Sequence, residues 1–211
     1  MHLEKMSTFQ LDVLQEIGNI GAGNAATALS TLLNRKIDMK VPSVRVLSFE
    51  EMMEAAGGSE TVVASVFLRL EGEAPGSMFF ILPLNQAEFF IHQVTDEVNF
   101  SFTNPPYSEI ALSALQEVGN ILSGSYLSAL SDFTGLTLLP SVPSLSIDMV
   151  GATISYGLIE LSQMGDFAIL IDTILTGSDT SNEAIQGHFF LLPDPDSLEI
   201  MFTALGVSSN E

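Results

Sequence analysis

Gln15-Glu16-Ile17-Gly18-Asn19-Ile20 decides how this chain is read, because it returns 101 residues later as Gln116-Glu117-Val118-Gly119-Asn120-Ile121. A second match follows in the same order. Phe79-Phe80-Ile81-Leu82-Pro83 recurs as Phe189-Phe190-Leu191-Leu192-Pro193, at an offset of 110. Two matched segments in unchanged order across 211 residues mark an internal duplication. The difference between the offsets gives the second copy about nine extra residues, and the polar run 176–182 reads as a loop insertion that takes up some of them.

Working outward, periodicity parses each copy in the same way. A long amphipathic helix comes first, over 8–34 and 108–133, with Ser7 or Thr8 and Ser108 as candidate caps. A Pro-interrupted β-rich stretch follows, at 36–49 and 136–147, then a short helix at 50–56 and 148–163. Two strands come next, 61–70 with 76–82 and 167–175 with 187–192, and a short helix closes each copy at 84–94 and 195–205. The unit is αβαββα, written twice. Between the copies, Asn104-Pro105-Pro106 stops any helix in the linker 95–107, which sets the repeats at 1–104 and 105–211.

Each unit is small for an independent core. The strand segments 62–67, 78–82 and 168–171 are apolar on both faces, the pattern of a sheet covered on both sides. The expected fold is therefore a single α/β domain over 1–211. It is a pseudo-twofold-symmetric α-β-α sandwich around a continuous mixed or antiparallel sheet.

Composition narrows the function classes. With 46% hydrophobic and 15% charged residues, the chain has ample material for a core and is not a disordered acidic tail. The absence of Cys excludes a disulfide scaffold, a thiolate nucleophile and Cys-based metal sites. Six Lys and Arg face 26 Asp and Glu, and every cation lies at or before Arg69, so nucleic acid would be repelled. Such a field suits a partner with a basic face, and plain solubility or adaptation to a salty cytoplasm accounts for it more simply. No apolar run is long enough to span a membrane and the N-terminus lacks an apolar signal core, so a cytoplasmic location without membrane insertion is expected. His2, His92 and His188 lack metal-ligand spacing, so neither a metal nor a cofactor is assigned to the chain itself. Gly18-Asn-Ile-Gly21-Ala-Gly23 follows no strand and lacks a Lys, which argues against a phosphate loop.

The repeated residues share a face. Asp12, Glu16, Asn19 and Gly23 fall at i, i+4, i+7 and i+11, an arc of about 60° at 100° per residue. Ser113, Glu117, Asn120 and Gly124 reproduce it. A Glu and an Asn three apart on one solvated helix are ordinary; the same stripe written twice, ending both times in a residue without a Cβ, suits close approach by another surface. Gly18, Gly21 and Gly23 each cost a helix about 1 kcal/mol relative to Ala, so close packing or function must offset them.

Both copies fit one pattern: Asp12 or Ser113, then Glu16 or Glu117, then Asn19 or Asn120, and finally Pro42 or Pro143. In this pattern and in the Glu-Ile-Gly-Asn-Ile-Gly-Ala-Gly-Asn segment, the chain resembles the CheC family of chemotaxis phosphatases, whose relatives include CheX and the flagellar switch protein FliY. The resemblance implies dephosphorylation of the response regulator CheY at its phospho-aspartate. It implies Asn19 and Asn120 as the amides that position the attacking water, and Glu16 and Glu117 as partners of the regulator's active-site lysine. Asp12 and Ser113 would have a secondary part, and the Mg2+ would be held by CheY. It also implies binding of the receptor deamidase CheD, with Asp148 in segment 144–157 as a contact; an ordinary capping role for Asp148 is the alternative. Both copies keep Glu and Asn, so two competent centres are expected; the second copy replaces Gly21-Ala22 by Leu122-Ser123 and Asn24 by Ser125, so their activities need not be equal. The runner-up is a non-catalytic CheY or CheD adaptor, or a switch component of the FliY type, which would be expected to add a C-terminal assembly domain. A duplicated fold supplies its own pseudo-twofold partner, and a monomer is expected.

Overall fold

The two copies exchange strands. A computed structural model describes residues 6–34, 36–95, 97, 99–160, 167–177 and 184–207. The first copy runs α1 (Thr8–Leu32), β1 (Ile37–Lys40), β2 (Val44–Ser48), α2 (Phe49–Ala55), β3 (Val62–Gly72), β4 (Gly76–Pro83) and α3 (Leu84–Val94). The second runs α4 (Glu109–Thr134), β5 (Leu138–Pro140), β6 (Ser144–Met149), α5 (Val150–Glu160), β7 (Phe167–Gly177), β8 (Ile185–Pro193) and α6 (Ser197–Ala204). All eight strands form one sheet in which every pairing is antiparallel. β1 and β2 pair with β7 of the second copy, whereas β5 and β6 pair with β3 of the first. Among the described residues neither copy's short strands pair with its own hairpin.

At the centre β4 pairs with β8, and Phe80 lies opposite Phe189 with the rings stacked at 4.6 Å. One face of the sheet is covered by α1, α3, α4 and α6 over a core that includes Leu29, Phe80, Leu122, Phe189 and Phe202. α2 and α5 cover the other face over Met52, Phe79, Ile154 and Phe190. This is the expected α-β-α sandwich with a continuous antiparallel sheet.

Three details differ from the sequence reading. Each Pro-interrupted stretch is two strands rather than one, so the unit is αββαββα; the break falls at 41–43 and 141–143, where a Pro cannot donate to the ladder. Thr176 belongs to β7, which extends to Gly177, and residues 178–182 of the expected insertion lie outside the described residues. Part of the extra length went into α5, with 11 residues against 7 in α2. Finally, the repeated Phe pair does not keep its facing. Phe79 and Phe190 point toward α2 and α5, whereas Phe80 and Phe189 point toward α1 and α4. Phe80 is therefore the structural equivalent of Phe189, one residue out of step with the sequence match.

Candidate functional site

Both stripes form as the spacing predicts. Ser7 caps α1 with a reciprocal bond from Gln10, and Ser108 caps α4 by accepting the Ala111 N–H. Their buried faces carry Leu14, Ile17 and Leu29 on α1, and Leu115, Val118 and Leu122 on α4. That leaves Asp12 and Glu16, and on α4 Ser113, Glu117 and Asn120, exposed on the opposite side; Asn19 is half-buried. Among the described residues neither Glu16 nor Glu117 has an ion-pair partner. Two exposed carboxylates without an ion-pair partner among the described residues thus stand each one turn before an amide.

Four of the helical glycines sort into two kinds. A Cβ on Gly21 would lie 2.9 Å from Cα of Tyr126, so the glycine is what lets α1 approach α4. A Cβ on Gly119 would lie 2.6 Å from Val66 of β3. A Cβ on Gly23 or Gly124 would meet nothing within 4 Å, so among the described residues no packing contact requires a glycine at either position. Leu122 and Ser123, which replace Gly21 and Ala22, are fully buried and face the core rather than the stripe.

Pro42 and Pro143 lie in the loops that interrupt the sheet's edge strands, and a residue pair overlooked in the sequence ties those loops to the helices. Gln15 Nε2 donates to the carbonyls of Val41 and Pro42 at 3.2 and 2.9 Å, and Gln116 Nε2 donates to the Pro143 carbonyl at 2.8 Å. Their recurrence at the 101-residue offset was the available signal. Beyond this the loops differ. The Val41 N–H donates to Asn19 Oδ1 at 2.9 Å, and the Val41 side chain is 2% exposed. The corresponding Val142 is 84% exposed, and the Asn120 side chain makes no hydrogen bond among the described residues. One amide is held by its loop and the other is free.

A polar cluster that sequence reading missed lies behind the first loop. Asp172 Oδ2 accepts from the Ser43 hydroxyl at 2.6 Å and from Arg45 at 3.1 Å, and Asp172 Oδ1 lies 3.0 Å from His188 Nδ1. Burial works to raise the Asp172 pKa, but the bonds from Ser43, His188 and Arg45 together hold it below the ordinary carboxylate value. No sequence signal links residues 129 apart.

Asp148 is exposed in β6 opposite Val63, and its Oδ1 accepts the N–H of Met149 at 2.8 Å. It is not the cap of α5, because the first turn of that helix donates instead from Val150 and Gly151 to the carbonyls of Thr61 and Ser59. His92 bonds the Phe100 carbonyl, and His2 lies outside the described residues. Among the described residues no cluster of three or more His, Asp or Glu could hold a metal, and no helix is long and apolar enough to cross a membrane.

The CheC-like family model matches the chain twice, at residues 9–46 and 110–147, with the 101-residue displacement of the repeat. The CheY-P phosphatase CheC of Bacillus subtilis is 52% identical over 199 residues, 94% of this chain and 95% of that protein. The flagellar motor switch phosphatase FliY of Bacillus subtilis is 35% identical over 61% of this chain and 33% of its own length. Among solved structures, Thermotoga maritima FliY superposes with a TM-score of 0.74 at 19% identity, covering 95% of this chain and 98% of the other.

Proposed function

This chain belongs to the CheC-like family, and from that membership we propose that it hydrolyses the aspartyl phosphate of the response regulator CheY. The observation that carries the proposal is the 52% identity, over nearly the whole of both chains, with a protein named as a CheY-P phosphatase. The geometry supports it. A water attacks phosphorus in line with the aspartyl oxygen, the P–O bond to the carboxyl breaks, and carboxylate and inorganic phosphate leave with release of the surplus proton. In this reading the regulator supplies the Mg2+ and lysine that neutralise phosphoryl charge, and the task left to the phosphatase is positioning.

Glu16 and Glu117, which have no ion-pair partner among the described residues, pair with the regulator's lysine. That contact brings Asn19 or Asn120 into the pocket, where the carbonyl oxygen accepts from the water and the amide nitrogen donates to a phosphoryl oxygen. Asn19 Oδ1 already accepts from Val41, which leaves its second lone pair and its nitrogen for this role. Asp12 and Ser113 border the contact. The proposal includes two centres per chain, a monomeric protein acting in the cytoplasm, and binding of CheD over residues 144–157 through the exposed Asp148.

The test is the decay of phosphorylated CheY from the same organism with Mg2+, alone and with wild type, Asn19→Ala, Asn120→Ala and the double variant. Wild type should accelerate decay, and the double variant should lose on the order of 100-fold while still binding. Binding without acceleration by wild type would leave an adaptor in place of an enzyme. Asp148→Ala should weaken CheD binding measured by calorimetry; unchanged affinity removes that contact from the proposal.

A further inference from the structure

We propose that Asp172 is a positioning residue for Asn19, acting through Ser43 and the 41–43 loop, and that Asn120 has no equivalent. The inference rests on the phosphatase reading only for its kinetic consequence; the positioning itself rests on the geometry. The Ser43 hydroxyl donates to Asp172 Oδ2 at 2.6 Å, and the Asp172 N–H donates back to the Ser43 carbonyl at 3.1 Å. Two residues earlier, the Val41 N–H holds Asn19 Oδ1. Gln15 clamps both intervening carbonyls. With its two ends held, the loop fixes which way the Asn19 amide points.

The other half of the molecule shows that the fold does not require this arrangement. Ser144 takes the place of Ser43, and across the ladder from it stands Phe67, where the first loop has Asp172. Phe67 pairs in register with Phe79, their rings 4.9 Å apart, as Asp172 pairs with His188. An aromatic pair on one side of the pseudo-dyad is thus a carboxylate–imidazole pair on the other. The second loop, whose Ser141 is bonded instead to the Arg69 backbone, has Val142 exposed and the Asn120 side chain without a hydrogen bond among the described residues, whereas the loop backed by Asp172 buries Val41. A hydrogen bond to an ionised carboxylate is among the stronger local restraints a loop can have, and holding a reacting group in its working orientation lowers the barrier through kcat rather than KM.

The test uses Ser43→Ala in the full chain, placed once with Asn120→Ala, so that only the first centre works, and once with Asn19→Ala, so that only the second does. We expect kcat for decay of phosphorylated CheY to fall about five-fold in the first background, with KM little changed and Ser43→Thr restoring the rate, and to stay unchanged in the second. Equal losses in both backgrounds would make Ser43 merely structural and overturn the proposal, as would no loss in either. Amide exchange and the Asn19 side-chain resonances are read on the same variants by NMR. Val41 exchange should accelerate about ten-fold in Ser43→Ala, and the Asn19 amide signals should shift. If wild type fails to accelerate decay, the phosphatase reading falls, yet these NMR readouts still decide the positioning: a change at Val41 and Asn19 upholds it, and unchanged signals overturn it.

Discussion

Glycine at four places on two helices does two different jobs, and the difference is measurable. Gly21→Ala pushes a methyl against the Tyr126 backbone, which cannot yield, and we expect a loss of about 1–3 kcal/mol in urea unfolding. Gly23→Ala and Gly124→Ala meet open space, so helix propensity should raise stability by up to about 1 kcal/mol. In the phosphatase reading the same two variants raise KM for phosphorylated CheY, because the added methyl stands where the regulator approaches. A stabilised double variant with unaltered KM would remove those glycines from the docking surface. Asp172 adds a pH prediction. Its folded-state pKa lies below the unfolded value, so its contribution is fully present above the ordinary carboxylate range and is lost as pH falls through the lowered folded value. Asp172→Asn should therefore flatten part of the acid limb of a stability–pH curve and leave the neutral region nearly parallel to wild type.

Secondary-structure elements were legible where composition alternates or caps are explicit. Ser7, Ser108 and the polar stripes located α1 and α4 to within two residues at either end. Ser48 is a further cap, sharing a reciprocal bond with Glu51 at the start of α2, and Ser48→Ala should cost about 1 kcal/mol. Thermal unfolding of that variant provides the check. The hidden parts have identifiable causes. Around their Phe pairs β4 and β8 are apolar on both faces, so the Phe segments themselves do not say which face Phe79 or Phe189 takes, and matching the two pairs by identity sets them one residue out of register. The Pro42 and Pro143 stretches read as one Pro-interrupted β element each, because their residues favour strands on both sides of the break. Glu16, Asn19, Glu117 and Asn120 could be placed on one helix face from spacing alone. What could not be read was that Val41 would hold Asn19, or that Asp172 would reach Ser43, since those contacts depend on which strands pair.

Strand exchange governs the molecule as a whole. Each hairpin, β3–β4 or β7–β8, has its outer edge completed by the other copy's short strands, and the first turn of α5 donates to the carbonyls of Ser59 and Thr61 in the first copy. Residues 1–104 expressed alone should leave one edge of β3 unpaired and fail to fold, as should residues 105–211, whereas the two expressed together should reassemble. Circular dichroism and gel filtration of the separate and mixed fragments would show this, and an independently folded fragment would contradict it. The exchange also constrains how such a chain can change over generations. A tandem duplicate built as two beads can delete one bead once its task is covered by the other. In the two-centre reading a lineage is free to discard the chemistry of either centre by a single substitution, but never the polypeptide around it, because each half is the other's scaffold. An inactive half in a chain of this architecture would be retained cargo with a mechanical duty, not a relic on its way out.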